Sequence, residues 1–269
     1  MRPQTGGRVW VWRKLPVGLL LAIAAAGCSG PGRASGTPDG PESLSDLPLV
    51  LRPSGTRSSI MALVMSGDGN WTPLVRGLVD RLVDRGIPVL GLESRSYLSH
   101  TRTPQELADD MAKALRTYRR IWSAPDLLVL GYSRGADFAP FLVNRLSPDL
   151  RGRVKAVALL SPTKMASFEF HLLDLVHYVS RDSDLPAVPE VEALAPTPTL
   201  CIYGRKDKSA LCPDLPEGVA EVVALDTGHR LGDPGKLADL VLDRLQGRME
   251  PDTLQHRSTS SESPPGSRR

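Results

Sequence analysis

Long apolar runs, a basic excess and internal repeats are all missing from this 269-residue chain, and each absence closes off a class of function. The longest apolar stretch, "LPVGLLLAIAAAG", falls short of the roughly 20 residues that a membrane-spanning helix needs. The net charge of +3 misleads, because Arg2, Arg8, Arg13 and Lys14 crowd the amino terminus without an acid. The tail from residue 248 sets four arginines against three acids, so the residues between carry more acids than bases. No basic nucleic-acid face is expected. Aromatics are scarce at 5%, and a chain of this length buries one good-sized core, hardly two. Histidine is also sparse, with five in the chain. The metal reading of His171 and His177 fails on spacing, since six residues put them on different helical faces, and no cofactor is expected.

The amino terminus explains its own charge. A basic stretch, a short apolar core and small residues before Cys28 read as an export signal over residues 1–27. "AAGC" has the form of a lipobox, with Cys28 the acylated first residue of the mature protein. Ala25 stands where leucine is usual, and a plain secretory signal or an uncleaved anchor is the alternative. Residues 28–47, rich in Gly, Pro and Ser, are expected to be a flexible tether, and residues 248–269 a disordered tail. Export places the chain outside the cytoplasm, anchored by lipid in the cell envelope and facing the periplasm if the cell has two membranes. Cysteine use then changes meaning: Cys28 is acylated, and Cys201 and Cys212 are expected to pair in an oxidising compartment. Two separate buried thiols are the alternative, and counting thiols without reductant separates the two.

Between tether and tail, over residues 48–247, the pattern alternates. "SIMALVMSG", "IPVLGLE", "DLLVLGYS", "VKAVALLSP", "TLCIYG" and "AEVVALD" are strand-like. "WTPLVRGLVDRLVDRG", "TPQELADDMAKALRTYRRIW", "GADFAPFLVNRL" and "GKLADLVLDRLQG" have helical spacing. Thr103 as N-cap, Pro104 at the first helical position and Glu106 at the capping-box position define one helix start. Apolar strands separated by amphipathic helices predict an α/β fold with a mostly parallel sheet covered on both faces.

In that frame Gly131-Tyr132-Ser133-Arg134-Gly135 gains weight. A G-x-S-x-G string alone is weak, but between a buried strand and a helix it fits a nucleophile elbow. Flanking glycines remove Cβ atoms that would collide with neighbouring backbone, and the following helix offers its amino-terminal amides to an oxyanion. The plainer reading is a turn with a capping serine. A serine nucleophile needs a base, and the base an orienting acid. In the α/β-hydrolase order the acid and then the histidine follow the serine. His229, past the last strand-like run, fits the base. Asp207, after "CIYG", fits the acid; Asp226 is too close in sequence to His229, and Glu192 and Asp184 are remote alternatives. The oxyanion hole is expected from the amide of Arg134 and from the "MSGDGNW" loop, where Asp68 or Gly69 supplies the second amide. Trp71 reads mainly as a packing anchor.

Together, "SGDGNW", "SRSYLSHTRTPQELADDM", "GYSRGADFAP", "CIYGRKDKSALCP" and "TGH" resemble the bacterial virulence AcvB/VirJ family of α/β hydrolases over roughly residues 48–247. The resemblance implies an exported α/β hydrolase with Ser133 as nucleophile, Asp207 as acid and His229 as base. AcvB-like members remove lysine from lysyl-phosphatidylglycerol, so a membrane phospholipid is the implied substrate. Asn70 departs from the family's expected second glycine, and the extra amino-terminal domain of longer members has no counterpart. Asp68, Glu93, Asp137 and Glu169 are candidates for a lysyl ammonium, with none assignable; for Asp137, in the first turn of a helix, a structural role is also open. "MASFEFHLLDLVHYVSRDSDLP" reads as a small cap or as core. Two other classes stay open: a general envelope esterase or thioesterase, and a non-catalytic VirJ-like accessory that binds secretion-system proteins.

Overall fold

The computed structural model describes residues 44–169 and 181–249, with only the backbone of residues 246–249. Cys28, the signal, most of the tether, the tail from residue 250, His171, His177 and the middle of the suggested cap lie outside them. The strands are β1 (Leu49–Arg52), β2 (Ile60–Met65), β3 (Val89–Leu92), β4 (Asp126–Tyr132), β5 (Val154–Leu160), β6 (Met165–Ala166), β7 (Leu185–Pro186), β8 (Thr199–Gly204) and β9 (Glu221–Leu225). The helices are α1 (Pro73–Asp84), α2 (Ser94–Tyr97), α3 (Pro104–Ile121), α4 (Arg134–Arg145), α5 (Pro148–Arg151), α6 (Val188–Glu192) and α7 (Pro234–Met249).

Seven strands form one sheet in the order β1-β3-β2-β4-β5-β8-β9. Every neighbouring pair is parallel except β1 and β3. The period of two explains the two-sided core. In β2, Met61, Leu63 and Met65 face one apolar layer with residues of α3 and α4, while Ala62 and Val64 face the other with residues of α1 and α7. A sheet buried on both faces needs strands without polar alternation, which is why β4 reads "LLVLGY" almost without interruption.

The capping box forms as its residues require: the Thr103 hydroxyl accepts from the Glu106 amide, and the Glu106 carboxylate accepts from the Thr103 amide at 2.7 Å. The short β1 escaped sequence reading because four residues carry too little periodicity. It is the one antiparallel strand of the sheet. The two-residue β6 and β7 and the single-turn α2, α5 and α6 were missed for the same reason.

Cys201 and Cys212 are joined, with Cα atoms 5.7 Å apart. The bridge closes the loop that carries Asp207, and for a loop of this length it removes unfolded-state freedom worth about 3 kcal/mol. The loop is further pinned to the end of β5, where the Leu211 amide donates to the Pro162 carbonyl at 2.9 Å.

Candidate active site

Backbone crowding shapes the elbow. A Cβ on Gly131 would lie 2.2 Å from the Gly135 carbonyl oxygen, and one on Gly135 would lie 2.2 Å from the Met65 carbonyl oxygen. Strand β4, helix α4 and strand β2 thus approach more closely than any side chain permits. Between the glycines, Ser133 sits at φ 53° and ψ −125°, a conformation that L-residues rarely adopt and that is stored where surrounding structure over-determines it. Its amide donates to the Leu160 carbonyl at 2.8 Å, and its own carbonyl accepts from the Ala136 and Asp137 amides.

A second close approach brings the other two side chains in. At Gly204, the last residue of β8, a Cβ would meet the Gly228 and Thr227 carbonyl oxygens at 2.3 and 2.5 Å. The loops after β8 and β9 therefore run against each other, and the Lys206 amide donates to the Thr227 carbonyl at 3.0 Å. The result is a continuous chain: Ser133 Oγ lies 2.8 Å from His229 Nε2, and His229 Nδ1 lies 2.7 Å from Asp207 Oδ2. The free oxygen of Asp207 accepts from the Ser209 amide at 3.0 Å and hydroxyl at 2.6 Å. Burial alone would raise the Asp207 pKa, but the bonds from Ser209 and His229 outweigh it and hold the carboxyl below its ordinary range. Ser161 fastens the loop that carries His229, its hydroxyl donating to the His229 backbone carbonyl at 2.9 Å.

Ser133 and His229 open onto a cavity of about 500 Å³, lined also by Asp68, Arg134, Asp137, Thr163, Lys164 and Lys208. Arg134 opens α4, so its amide is among those a helix leaves without an internal acceptor. On the other side of the serine stands Gly67, where a Cβ would be 2.9 Å from Ser133 Cβ and 3.4 Å from Oγ. The 67–70 loop thus borders the serine, as expected for the loop carrying Asp68 and Gly69. Asn70 takes the left-handed conformation, at φ 51°, and its side chain bonds Ser96, so the turn forms without the second glycine. Trp71 packs across Gly91.

The side chains of Arg134 and Asp68 have a role that sequence reading did not assign. They form an ion pair within the cavity wall, and the guanidinium also donates to the Ser167 and Glu169 carbonyls at 2.9 and 3.1 Å. One buried arginine therefore joins the 67–70 loop, the elbow and the segment following β6. Nothing in the local sequence announces this. The Asp-x-Ser spacing of Asp207 and Ser209, a familiar local hydrogen-bonding pattern, was a usable signal for Ser209.

Among the suggested ammonium ligands, Asp68 is thus paired with Arg134, and Glu93 is not a cavity residue but accepts from the Ser96 hydroxyl. Glu169 is half-buried. Asp184 bonds the Arg181 amide, and neither it nor Glu192 lines the cavity. Phe168 is core, stacked on Phe138 at 4.5 Å and edge-on to Phe141 at 5.4 Å. Among the described residues no group of three or more potential ligands is placed to hold a metal ion.

Asp137 lies at the cavity wall, and burial pushes its pKa up to about 8 despite hydrogen bonds from the Thr163 amide at 2.6 Å and hydroxyl at 2.9 Å. The Thr163 hydroxyl is also 3.0 Å from the Met165 carbonyl. Its single proton cannot serve two acceptors; a proton on Asp137 lets the carboxyl donate to Thr163 and Thr163 donate to Met165. Because this acid holds its proton in the fold to about pH 8 but loses it near pH 4 when unfolded, stability is full below about pH 4 and falls as pH rises towards 8. Asp137→Asn keeps the shape and both bonds without the charge. Its thermal midpoint at pH 8 is expected to exceed wild type by about 5 °C, with the gap narrowing towards pH 5, as thermal melts across that range will test.

The sheet order, the elbow and the position of the histidine define the α/β-hydrolase fold. Residues 59–249 match the family described as bacterial virulence protein (VirJ), and the chain belongs to that family. Similar solved structures include Est1E from Butyrivibrio proteoclasticus, 12% identical with TM-score 0.53 over 75% of this chain and 93% of its own. The esterase Pf2001 of Pyrococcus furiosus is 16% identical, with TM-score 0.53 over 78% and 96%. The esterase domain of a Rhodothermus marinus protein is also 16% identical, with TM-score 0.52 over 75% and 92%. At such identities the likeness concerns the fold. No curated protein sequence is significantly similar to the chain.

Proposed function

We propose that this protein is a serine hydrolase of carboxylic esters, acting at the envelope membrane on the aminoacyl ester of a phospholipid, lysyl-phosphatidylglycerol first among them. The observation that carries the reading is the unbroken hydrogen-bonded chain from Ser133 through His229 to Asp207 at the mouth of the cavity. His229 Nε2 takes the hydroxyl proton as Ser133 Oγ attacks the ester carbonyl, and Asp207 stabilises the imidazolium that forms. The amides of Arg134 and of Asp68 or Gly69 receive the oxyanion. The imidazolium then protonates the leaving glycerol oxygen, and the acyl-serine is cleared by water, which His229 deprotonates in turn. Acylation at Cys28 and the tether would hold the site near a substrate confined to two dimensions.

The test is to incubate the protein with vesicles containing lysyl-phosphatidylglycerol and follow release of free lysine, with short-chain chromogenic esters in parallel. Lysine release that vanishes in Ser133→Ala supports the proposal. Turnover of the simple esters alone would establish the second reading, a general envelope esterase. A specific observation favours that reading: among the described residues the two carboxyls that line the cavity, Asp68 and Asp137, are engaged by Arg134 and Thr163, which leaves neither free for a lysyl ammonium. Retention of the cellular phenotype by Ser133→Ala would point instead to a binding role in secretion.

A further inference from the structure

We propose that the folded domain docks on an anionic lipid bilayer through the sheet edge that carries Ser133, with Arg205, Lys206, Lys208 and Arg230 as its contact charges. The proposal deepens the membrane part of the reading above and relies on it for the nature of the surface.

Strand direction supplies the first argument. Ser133, Asp207 and His229 all follow the carboxyl ends of parallel strands, and so does the 67–70 loop. Strand β1 runs the other way, with Leu49 opposite Leu92, the last residue of β3, and the Glu93 amide donating to the Pro48 carbonyl at 3.0 Å. The polypeptide preceding β1 therefore joins the domain on the same edge as the cavity. In the sheet order β1 is three strands from β4, which at about 4.8 Å per strand is only about 14 Å from the elbow strand.

Charge supplies the second. Arg205, Lys206, Lys208 and Arg230 are exposed and flank Asp207 and His229 in sequence. Among the described residues only Lys206 of the four has a carboxylate partner, the exposed Asp226 at 3.1 Å. Asp207 itself is turned inward onto His229. Among the described residues, none of the three exposed large hydrophobic side chains, Leu51, Ile121 and Val222, lies in these loops, so the contact made by these loops is electrostatic and salt-sensitive.

Charge alone does not choose the face, because Arg116, Arg119 and Arg120 gather at the opposite edge, around the end of α3, with Arg153 beside Arg119. The position of the tether chooses. From Cys28 to β1 is a span of about 20 residues, and a random coil of that many residues has a root-mean-square end-to-end distance of about 25 Å. A domain of this size is about 40 Å across. With Cys28 acylated in the membrane, seating the cavity edge asks for no more reach than that length and presents Ser133 to the lipid, whereas seating the far edge asks for the full width of the domain besides.

The experiment is lysine footprinting of the full chain carrying Ser133→Ala, bound to vesicles of phosphatidylcholine alone or of phosphatidylcholine with phosphatidylglycerol. A water-soluble acetylating reagent is applied and the peptides are read by mass spectrometry. Lys206 and Lys208 are expected to be acetylated severalfold more slowly on the phosphatidylglycerol vesicles, with the protection lost at high salt. Lys155, at the start of β5 on the opposite edge, is expected to react equally on both. Protection of Lys155 in their place, or identical labelling on the two vesicle types, overturns the proposal. A separate measurement is the preference for phosphatidylglycerol over phosphatidylcholine vesicles after Arg205, Lys206, Lys208 and Arg230 are all changed to Gln. Each such cation strengthens binding to an anionic surface about fivefold, so the preference should fall by a factor on the order of 10² to 10³; an unchanged preference counts against the proposal. An intact footprint without lysine release removes the aminoacyl-lipid substrate and leaves the docking, while lysine release without a footprint does the reverse.

Discussion

Ser133→Ala is expected to lower kcat for any ester the protein turns over by about a millionfold, the largest effect of any single side chain in the site. In the proposed mechanism the hydroxyl oxygen is the atom that bonds covalently to substrate, and its 2.8 Å contact with His229 Nε2 is the route by which its proton would leave. His229→Ala should cost nearly as much, and the double variant little more than either alone, because the two act as one unit. Asp207→Asn is expected to fall less, by about 10⁴. In that mechanism the carboxylate takes no proton but selects the tautomer that leaves Nε2 free, and an amide at the same place can donate where it should accept. Burst-phase and steady-state kinetics with a chromogenic ester separate these cases. Equal activity of Ser133→Ala and wild type would remove the nucleophile assignment and the mechanism with it.

The sheet was legible from sequence because both its faces are buried. β2, β4, β5 and β8 must be apolar throughout, and runs such as "IMALVM" and "TLCIYG" have no other economical reading. The meeting of Ser133, Asp207 and His229 was legible because an elbow imposes its glycines and the fold imposes an order on the residues that follow. Arg134 was recognised only for its amide. Its guanidinium binds Asp68, Ser167 and Glu169, partners brought together by the fold from separate loops and invisible to local spacing. Asp137 was open to a dipole role at the helix start; its burial and its two bonds with Thr163 depend on where the loop after β5 lies. β1 was hidden for the opposite reason, being too short to show a period, although its reversed direction decides which edge receives the amino-terminal chain.

Gly135→Ala is expected to prevent folding, or to reduce stability by more than about 4 kcal/mol, through one methyl group. That methyl would lie 2.2 Å from the Met65 carbonyl oxygen, 2.5 Å from its carbon and 2.6 Å from the Ser66 oxygen. All three belong to the backbone at the end of β2, which is held between β3 and β4 by ladder bonds on both sides, so no rotamer change can relieve the contact. The strand and helix would have to part, taking the 67–70 loop away from Ser133. Two other glycines near the site make the comparison sharp. At Gly69 the nearest atom to a new Cβ is a Thr72 side-chain methyl, which can move, and at Gly228 nothing lies within 4 Å. Gly69→Ala should therefore be tolerated with a modest loss and Gly228→Ala with almost none, although Gly228 adjoins His229. Thermal melts and soluble yield of the three variants measure the order directly. If Gly135→Ala melts within a few degrees of Gly228→Ala, the close seating of α4 on β2, and with it the geometric origin of the elbow, is wrong.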